Sequence, residues 1–214
     1  MDRPFTIKLI RHGESQSNIG AFDHRSAGDH TVSLTDRGIE QARAAAMKLP
    51  KGFFNNCLIY RSPYQRTRQT LDILLESAGI SNPRIYEDVR LREVDHGYDN
   101  IDEQQEARFT HGFLYYRYKG GESPADCMDR HSTFLETFMR QVARKRPDTA
   151  LFCSHGISSR CFVTRYLHLS PEQFDSMQNP DNCAIVTISN DPAQHDSPVV
   201  FTCGAWGVSG LRLR

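Results

Sequence analysis

The chain has 214 residues, enough for one sizeable domain, and its 26 basic side chains (21 Arg and 5 Lys) balance 26 acidic ones. A formal net charge of zero speaks against a general nucleic-acid or polybasic membrane binder, because such proteins carry a basic excess. Hydrophobic content of 38% with 24% charged residues suits a soluble globular protein, and no apolar run approaches bilayer-spanning length.

Phe5 to Ile10 is a β-rich run ending at a glycine turn and is read as a strand. A polar, glycine-containing loop from about Gly20 to Ser33 follows. Thr35 is placed to cap a helix from about Asp36 to Leu49, stopped by Pro50. Cys57 to Tyr60 is a second strand, and Ser62-Pro63 opens a second helix that closes at Gly79. Arg84 to Tyr86 is a short third strand. A long helix is predicted from about Ser123 to Lys145, with Phe134, Leu135, Phe138, Met139 and Val142 at helical spacing. Thr149 to Cys153 is a fourth strand, and Ile157 to Leu167 a helix. Cys183 to Ser189 and Pro198 to Gly204 are read as a closing hairpin around Asn190-Asp191-Pro192. Alternating strands and helices predict a three-layer α/β/α sandwich with a mostly parallel central sheet and one antiparallel edge strand. No linker divides the chain, so a single domain over residues 1–214 is expected, with a variable lid-like insertion at about 95–121.

Six cysteines are scattered without a close CxxC pair or a Cys/His cluster. Reduced thiols and no metal site are expected. The charged start, Met1 to Pro4, lacks the apolar core of a secretory leader, so a cytoplasmic location is expected.

Two strands end alike, one in Arg11-His12-Gly13 and the other in Ser154-His155-Gly156. In an open α/β sheet ligands bind beyond the carboxyl ends of the strands, so two imidazoles at two such ends can share one site. A glycine after each allows close backbone approach, which makes Gly156 a substrate-binding candidate.

Arg11-His12-Gly13-Glu14 with Asn18 resembles the signature of the histidine phosphatase superfamily, the phosphoglycerate mutase-like enzymes and phosphatases. Further motifs follow in that family's order. Leu34-Thr35, Gly38 and Gln41-Ala42 are similar to its Leu-Thr-x-x-Gly-x-x-Gln-Ala segment. Ser62-Pro63 through Arg66 to Thr70 resembles its second-arginine helix, Leu91-Arg92-Glu93 its acidic motif, and Ser154-His155-Gly156 its second histidine. The resemblance implies that His12 is a nucleophile forming a phosphohistidine. It implies that Arg11 and Arg66 surround the phosphoryl group, joined by His155, which adds a third positive donor if protonated, and by Asn18 as a neutral donor. It assigns Glu93 as general acid and then general base. Fixed cations meet the phosphoryl charge, so no cofactor or metal is implied.

The sequence also departs from its relatives. Arg61 stands where many carry a small hydroxyl residue; it either recognises a second acidic group of the substrate or pairs with a local carboxylate. Asp95-His96-Gly97-Tyr98-Asp99 lacks the Trp and Glu of the common Gly-x-Trp-Glu-Gly loop. The insertion carries Tyr115, Tyr116, Arg117 and Tyr118, of which Tyr116 and Arg117 are the lid and substrate-binding candidates; the other reading is a packing cluster. Gly120-Gly121-Glu122-Ser123, Asp126 and Arg130 resemble the phosphatase-like branch, and the substrate loop and lysines of the mutases are missing. The expected activity is hydrolysis of a small phosphorylated metabolite, with inorganic phosphate as product and no nucleic acid or membrane as partner. The rivals are a cofactor-dependent phosphoglycerate mutase and a catalytically inactive phospho-ligand binding module. The C-terminal strand and Trp206 either face a second copy in a homodimer or pack inside.

Overall fold

Alternation along the apolar strands builds a sheet with a core on each face. The computed structural model describes residues 3–22, 27–97 and 104–214. Its strands are β1 (Thr6–Arg11), β2 (Cys57–Arg61), β3 (Ile85–Glu87), β4 (Thr149–Ser154), β5 (Ile185–Ser189), β6 (Val199–Cys203) and β7 (Trp206–Ser209). Its helices are α1 (Asp36–Ala46), α2 (Gln65–Ser77), α3 (Gln105–His111), α4 (Pro124–Lys145), α5 (Gly156–Tyr166) and α6 (Pro171–Ser176). Leu9, Tyr60 and Phe152 enter one core, with Phe134, Phe138 and Phe162 of α4 and α5. Their immediate neighbours along the strands, Ile10, Ile59 and Cys153, enter the other, with Ala42, Ala45, Leu71 and Leu74 of α1 and α2. Successive side chains point to opposite faces, and a mixed run such as Ala150 to Cys153 has no polar side because both faces are covered.

The sheet order is β3-β2-β4-β1-β5-β7-β6. The four strands from β3 to β1 run parallel; β5, β7 and β6 extend them antiparallel. The antiparallel part is thus three strands rather than one. The expected hairpin of the last two predicted strands does not form, because β7 lies between β5 and β6. The hairpin instead joins β6 to β7, where Cys203 pairs with Trp206. Gly204, at φ 58°, supplies the left-handed residue that so short a turn needs.

Other elements follow the expected chemistry. Thr35 accepts from Gly38 N at the start of α1. Ser123 and Asp126 form a reciprocal capping box on α4, with Pro124 in its first turn. The first helix ends at Ala46, three residues before its expected limit. Trp206 packs inward, 5.2 Å from the ring of Tyr166 and 6.3 Å from that of Phe5. Of the insertion expected at about 95–121, residues 98–103 lie outside the described residues. No helix among the described residues is long and apolar enough to cross a membrane.

Candidate active site

Register brings the two histidines together. β1 and β4 are neighbouring parallel strands, with Arg11 opposite Ser154, so the next residues, His12 and His155, emerge side by side. Their ring centroids are 5.2 Å apart, and His12 N donates to Ser154 O at 3.0 Å. The chain beyond β1 leads to α1 on one face, and the chain beyond β4 turns into α5 on the other. That divergence opens the crevice at a switch point of the sheet. Ser62, following β2, donates its N–H to Cys153 O and lies 2.9 Å, Oγ to Nε2, from His155.

His12 is buried, and its Nδ1 is 2.7 Å from Gly13 O. A carbonyl only accepts, so Nδ1 carries the proton and Nε2 keeps its lone pair. Arg66 Nε donates to that Nε2 at 3.2 Å. Burial, then Arg66 and Arg11, push the His12 pKa well below the ordinary histidine value. Burial, Arg66 and His12 do the same to His155. Both imidazoles are therefore neutral at pH 7 in the free site, so the condition under which His155 adds positive charge is not met there.

The cations come from two elements. Arg11, the last residue of β1, donates Nη1 to Pro180 O at 2.8 Å, and its buried Nε has no hydrogen-bond partner among the described residues. Arg66, in the first turn of α2, is 4% exposed. Asp29 grips it through both carboxylate oxygens, and its guanidinium lies 4.9 Å from the Tyr64 ring centroid. Asn18 Oδ1 accepts from Ser15 N and from Asn182 Nδ2; the same Nδ2 reaches His12 O at 3.0 Å.

Glu93 bridges the acidic segment to the second histidine. Its carboxylate accepts from Ile157 N at 3.2 Å and Ser158 N at 2.9 Å, the free amides in the first turn of α5. Arg130 Nη2 holds the Glu93 carbonyl at 3.1 Å and donates to the buried Glu122 at 2.7 Å. Glu122 also accepts from Arg92 and from Asp95 N. The Glu122–Arg130 pair on the α4 side thus fixes the backbone that carries Glu93.

The remaining motif residues are tied to the first histidine loop. A Cβ on Gly38 would lie 2.1 Å from Glu14 O, and one on Gly13 would lie 2.4 Å from Gly38 O. The close approach at Gly13 is therefore to α1, where a ligand had been expected. Gln41 accepts from Glu14 N, Gln69 from Leu34 N, and Thr70 from Gly13 N. A Cβ on Gly156, the first residue of α5, would meet the Asn179 side chain at 3.2 Å.

With this geometry in place, the comparison with protein families is decisive: the model of the histidine phosphatase superfamily (branch 1) matches residues 7–198. The chain belongs to the histidine phosphatase superfamily. It is 36% identical to the phosphoglycerate mutase-like protein AT74 of Arabidopsis thaliana, over 85% of this chain and 64% of that protein. It therefore spans just under two thirds of that relative's length. It is 25% identical to the broad-range acid phosphatase DET1 of Saccharomyces cerevisiae, over 88% of this chain and 86% of that one. Its fold matches a mycobacterial glucosyl-3-phosphoglycerate phosphatase with a TM-score of 0.68, at 23% identity over 87% of this chain and 91% of that one.

Three expected substrate-binding residues have other partners in the fold. Arg61 pairs with Asp72 at 2.8 Å and Glu87 at 3.1 Å, the local-carboxylate alternative. The Tyr116 hydroxyl donates to Gln104 at 3.1 Å and Arg117 pairs with Asp126. The insertion reaches the acidic segment through Tyr118, whose ring is 4.6 Å from that of His96. Asp29, Ser62, Tyr64 and Asn182 were missed as site residues. Ser62 and Tyr64 carried a signal, flanking Pro63 just before α2, whose first residue is Gln65 rather than the proline expected to open it. Asp29 and Asn182 lie in irregular segments with no period to mark them.

Proposed function

We propose that this histidine phosphatase hydrolyses small phosphomonoesters through a phosphohistidine on His12. The observation that carries the reading is His12 itself: a buried, neutral imidazole whose Nδ1 is fixed by Gly13 O and whose Nε2 lone pair faces Arg66. Nε2 attacks phosphorus in line, the P–N bond forms, and the ester P–O bond breaks with its electron pair on the leaving oxygen. Arg11 and Arg66 take the charge of the phosphoryl oxygens. His155, 5.2 Å away, joins them as a donor once the phosphoryl dianion favours its protonated form.

Glu93 supplies the leaving-group proton and, as carboxylate, then takes one from the water that breaks the P–N bond. Its Oε1 accepts from two backbone amides and its Oε2 from one, so Oε2 is the oxygen with room for the proton. Asn18 contributes a neutral donor, and the Gly156 backbone lets α5 begin close to the site. The whole of 1–214 acts as one domain, with the segment at about 95–121 as cover. The substrate is a small phosphorylated metabolite, phosphate is the product, and no cofactor takes part.

The phosphoglycerate mutase-like name of the Arabidopsis relative supports a second reading, return of the phosphoryl group to another substrate hydroxyl. One experiment separates the two. The protein is incubated with p-nitrophenyl phosphate, and with 3-phosphoglycerate with and without 2,3-bisphosphoglycerate. Phosphate release that vanishes in His12→Ala is expected. Rapid bisphosphoglycerate-dependent isomerisation with little free phosphate would replace hydrolysis by the mutase reading. Equal rates for wild type and His12→Ala would leave only a binding module.

A further inference from the structure

We propose that Asp29 is a positioning residue for the phosphoryl site: it grips one edge of the Arg66 guanidinium and thereby turns the other edge onto His12 Nε2. The proposal rests on the phosphohistidine reading for its consequence in catalysis, but not for its geometry.

The donor count is the argument. An arginine has five N–H donors, arranged as two bidentate edges. Arg66 Nη1 donates to Asp29 O at 2.8 Å and Asp29 Oδ1 at 3.0 Å, and Nη2 donates to Asp29 Oδ2 at 2.9 Å. The end edge is therefore fully taken by one residue, through its side chain and its carbonyl together. The side edge holds what remains. Nε donates to His12 Nε2 at 3.2 Å, and the last N–H lies on Nη2 beside it. A phosphoryl group arriving at His12 Nε2 meets these two parallel donors. Nε then exchanges the ring nitrogen for a phosphoryl oxygen, which frees the lone pair for attack.

Three further features favour positioning over competition for phosphate. Asp29 belongs to a short helical turn, Asp29–Thr31, on a different segment from either histidine, so its grip is a tertiary contact. Tyr64 lies 4.9 Å from the guanidinium and 5.1 Å from the His155 ring, which limits the ways the plane can tilt. Asp29 approaches the edge of Arg66 away from His12, so a phosphoryl group on Nε2 need not displace it.

Two variants test this, Asp29→Ala and the isosteric Asp29→Asn, with inorganic phosphate as the probe. Calorimetric phosphate affinity is expected to fall by about tenfold or more in both, the scale of losing one aligned charge-assisted hydrogen bond. Independently of any ligand, the nitrogen-15 signal of His12 Nε2 at neutral pH is expected to move toward that of an imidazole without a donor. Tighter phosphate binding would show Asp29 to be a competitor and overturn the proposal. So would unchanged affinity with an unmoved nitrogen signal. A wild type that binds no phosphate would defeat the phosphatase reading alone, because the nitrogen signal still decides whether Asp29 positions Arg66. Thermal melting checks both variants for folding, and the partly exposed Asp29 side chain makes Asp29→Asn the milder of the two.

Discussion

At the scale of the residue, the site depends on which protons are absent. In the proposed mechanism His12 is a nucleophile only while Nε2 is unprotonated, and burial beside Arg66 and Arg11 keeps it so. The sign is that of a base with a lowered pKa: the neutral form persists below the ordinary histidine value of about 6.5. The acid limb of kcat/KM against p-nitrophenyl phosphate is therefore expected to have its midpoint below 6.5. An acid limb centred at or above 6.5 would mean that His12 titrates like an exposed histidine. The residue types at the site were legible because each motif is short and local: Arg11-His12-Gly13, Arg66 in its helix, Glu93 after Leu91-Arg92. The protonation state of His155 was not, because it depends on cations brought from other segments. Arg61 was equally illegible; its choice of Glu87 and Asp72 depends on β2 lying beside β3 and on where α2 crosses.

At the scale of the element, the motifs outside the catalytic residues act by joining loops. Gly38 is the sharpest case. It lies in the first turn of α1 against the Glu14 carbonyl, and an added Cβ would lie 2.1 Å from that oxygen. Neither backbone can give way without moving Gly13 and His12. Gly38→Ala is expected to cost about 1–3 kcal/mol of stability, as overpacking does, and to lower kcat as well. Urea unfolding and steady-state kinetics on the same preparation check both, and a fully stable, fully active variant would contradict the account. The long helix and the capped helices were legible in the sequence because capping and period are local. β7 was not, because it has four residues and contains Gly207, and only pairing with β5 and β6 makes it a strand. Its insertion between them also removed the expected hairpin, a change of partner that no local pattern encodes.

At the scale of the whole molecule, the zero net charge conceals a polarised interior. Arg11, Arg66, His12 and His155 converge at the carboxyl ends of β1 and β4, with Glu93 held at the start of α5. His12, His131 and His155 are all buried, with pKa values pushed well below 6.5, chiefly by that burial. The unfolded chain takes up protons at these positions as pH falls through 6.5, and the native state does not. Stability is thus complete above that value and declines below it, by up to about 1.4 kcal/mol per pH unit for each histidine. A lower urea midpoint at pH 5.5 than at pH 7.5 is expected, well above the range where carboxylates titrate. A midpoint that stays level between them would show that these histidines protonate in the folded protein.

The most direct test of the central claim is to trap the phosphoenzyme. A rapid acid-free quench during turnover of a labelled phosphomonoester, followed by peptide mapping, reads which atom carries phosphorus. The account predicts an acid-labile, base-stable label on the peptide that contains His12, absent in His12→Ala and retained in Glu93→Gln. An acid-stable label, or one that survives in His12→Ala, would contradict it.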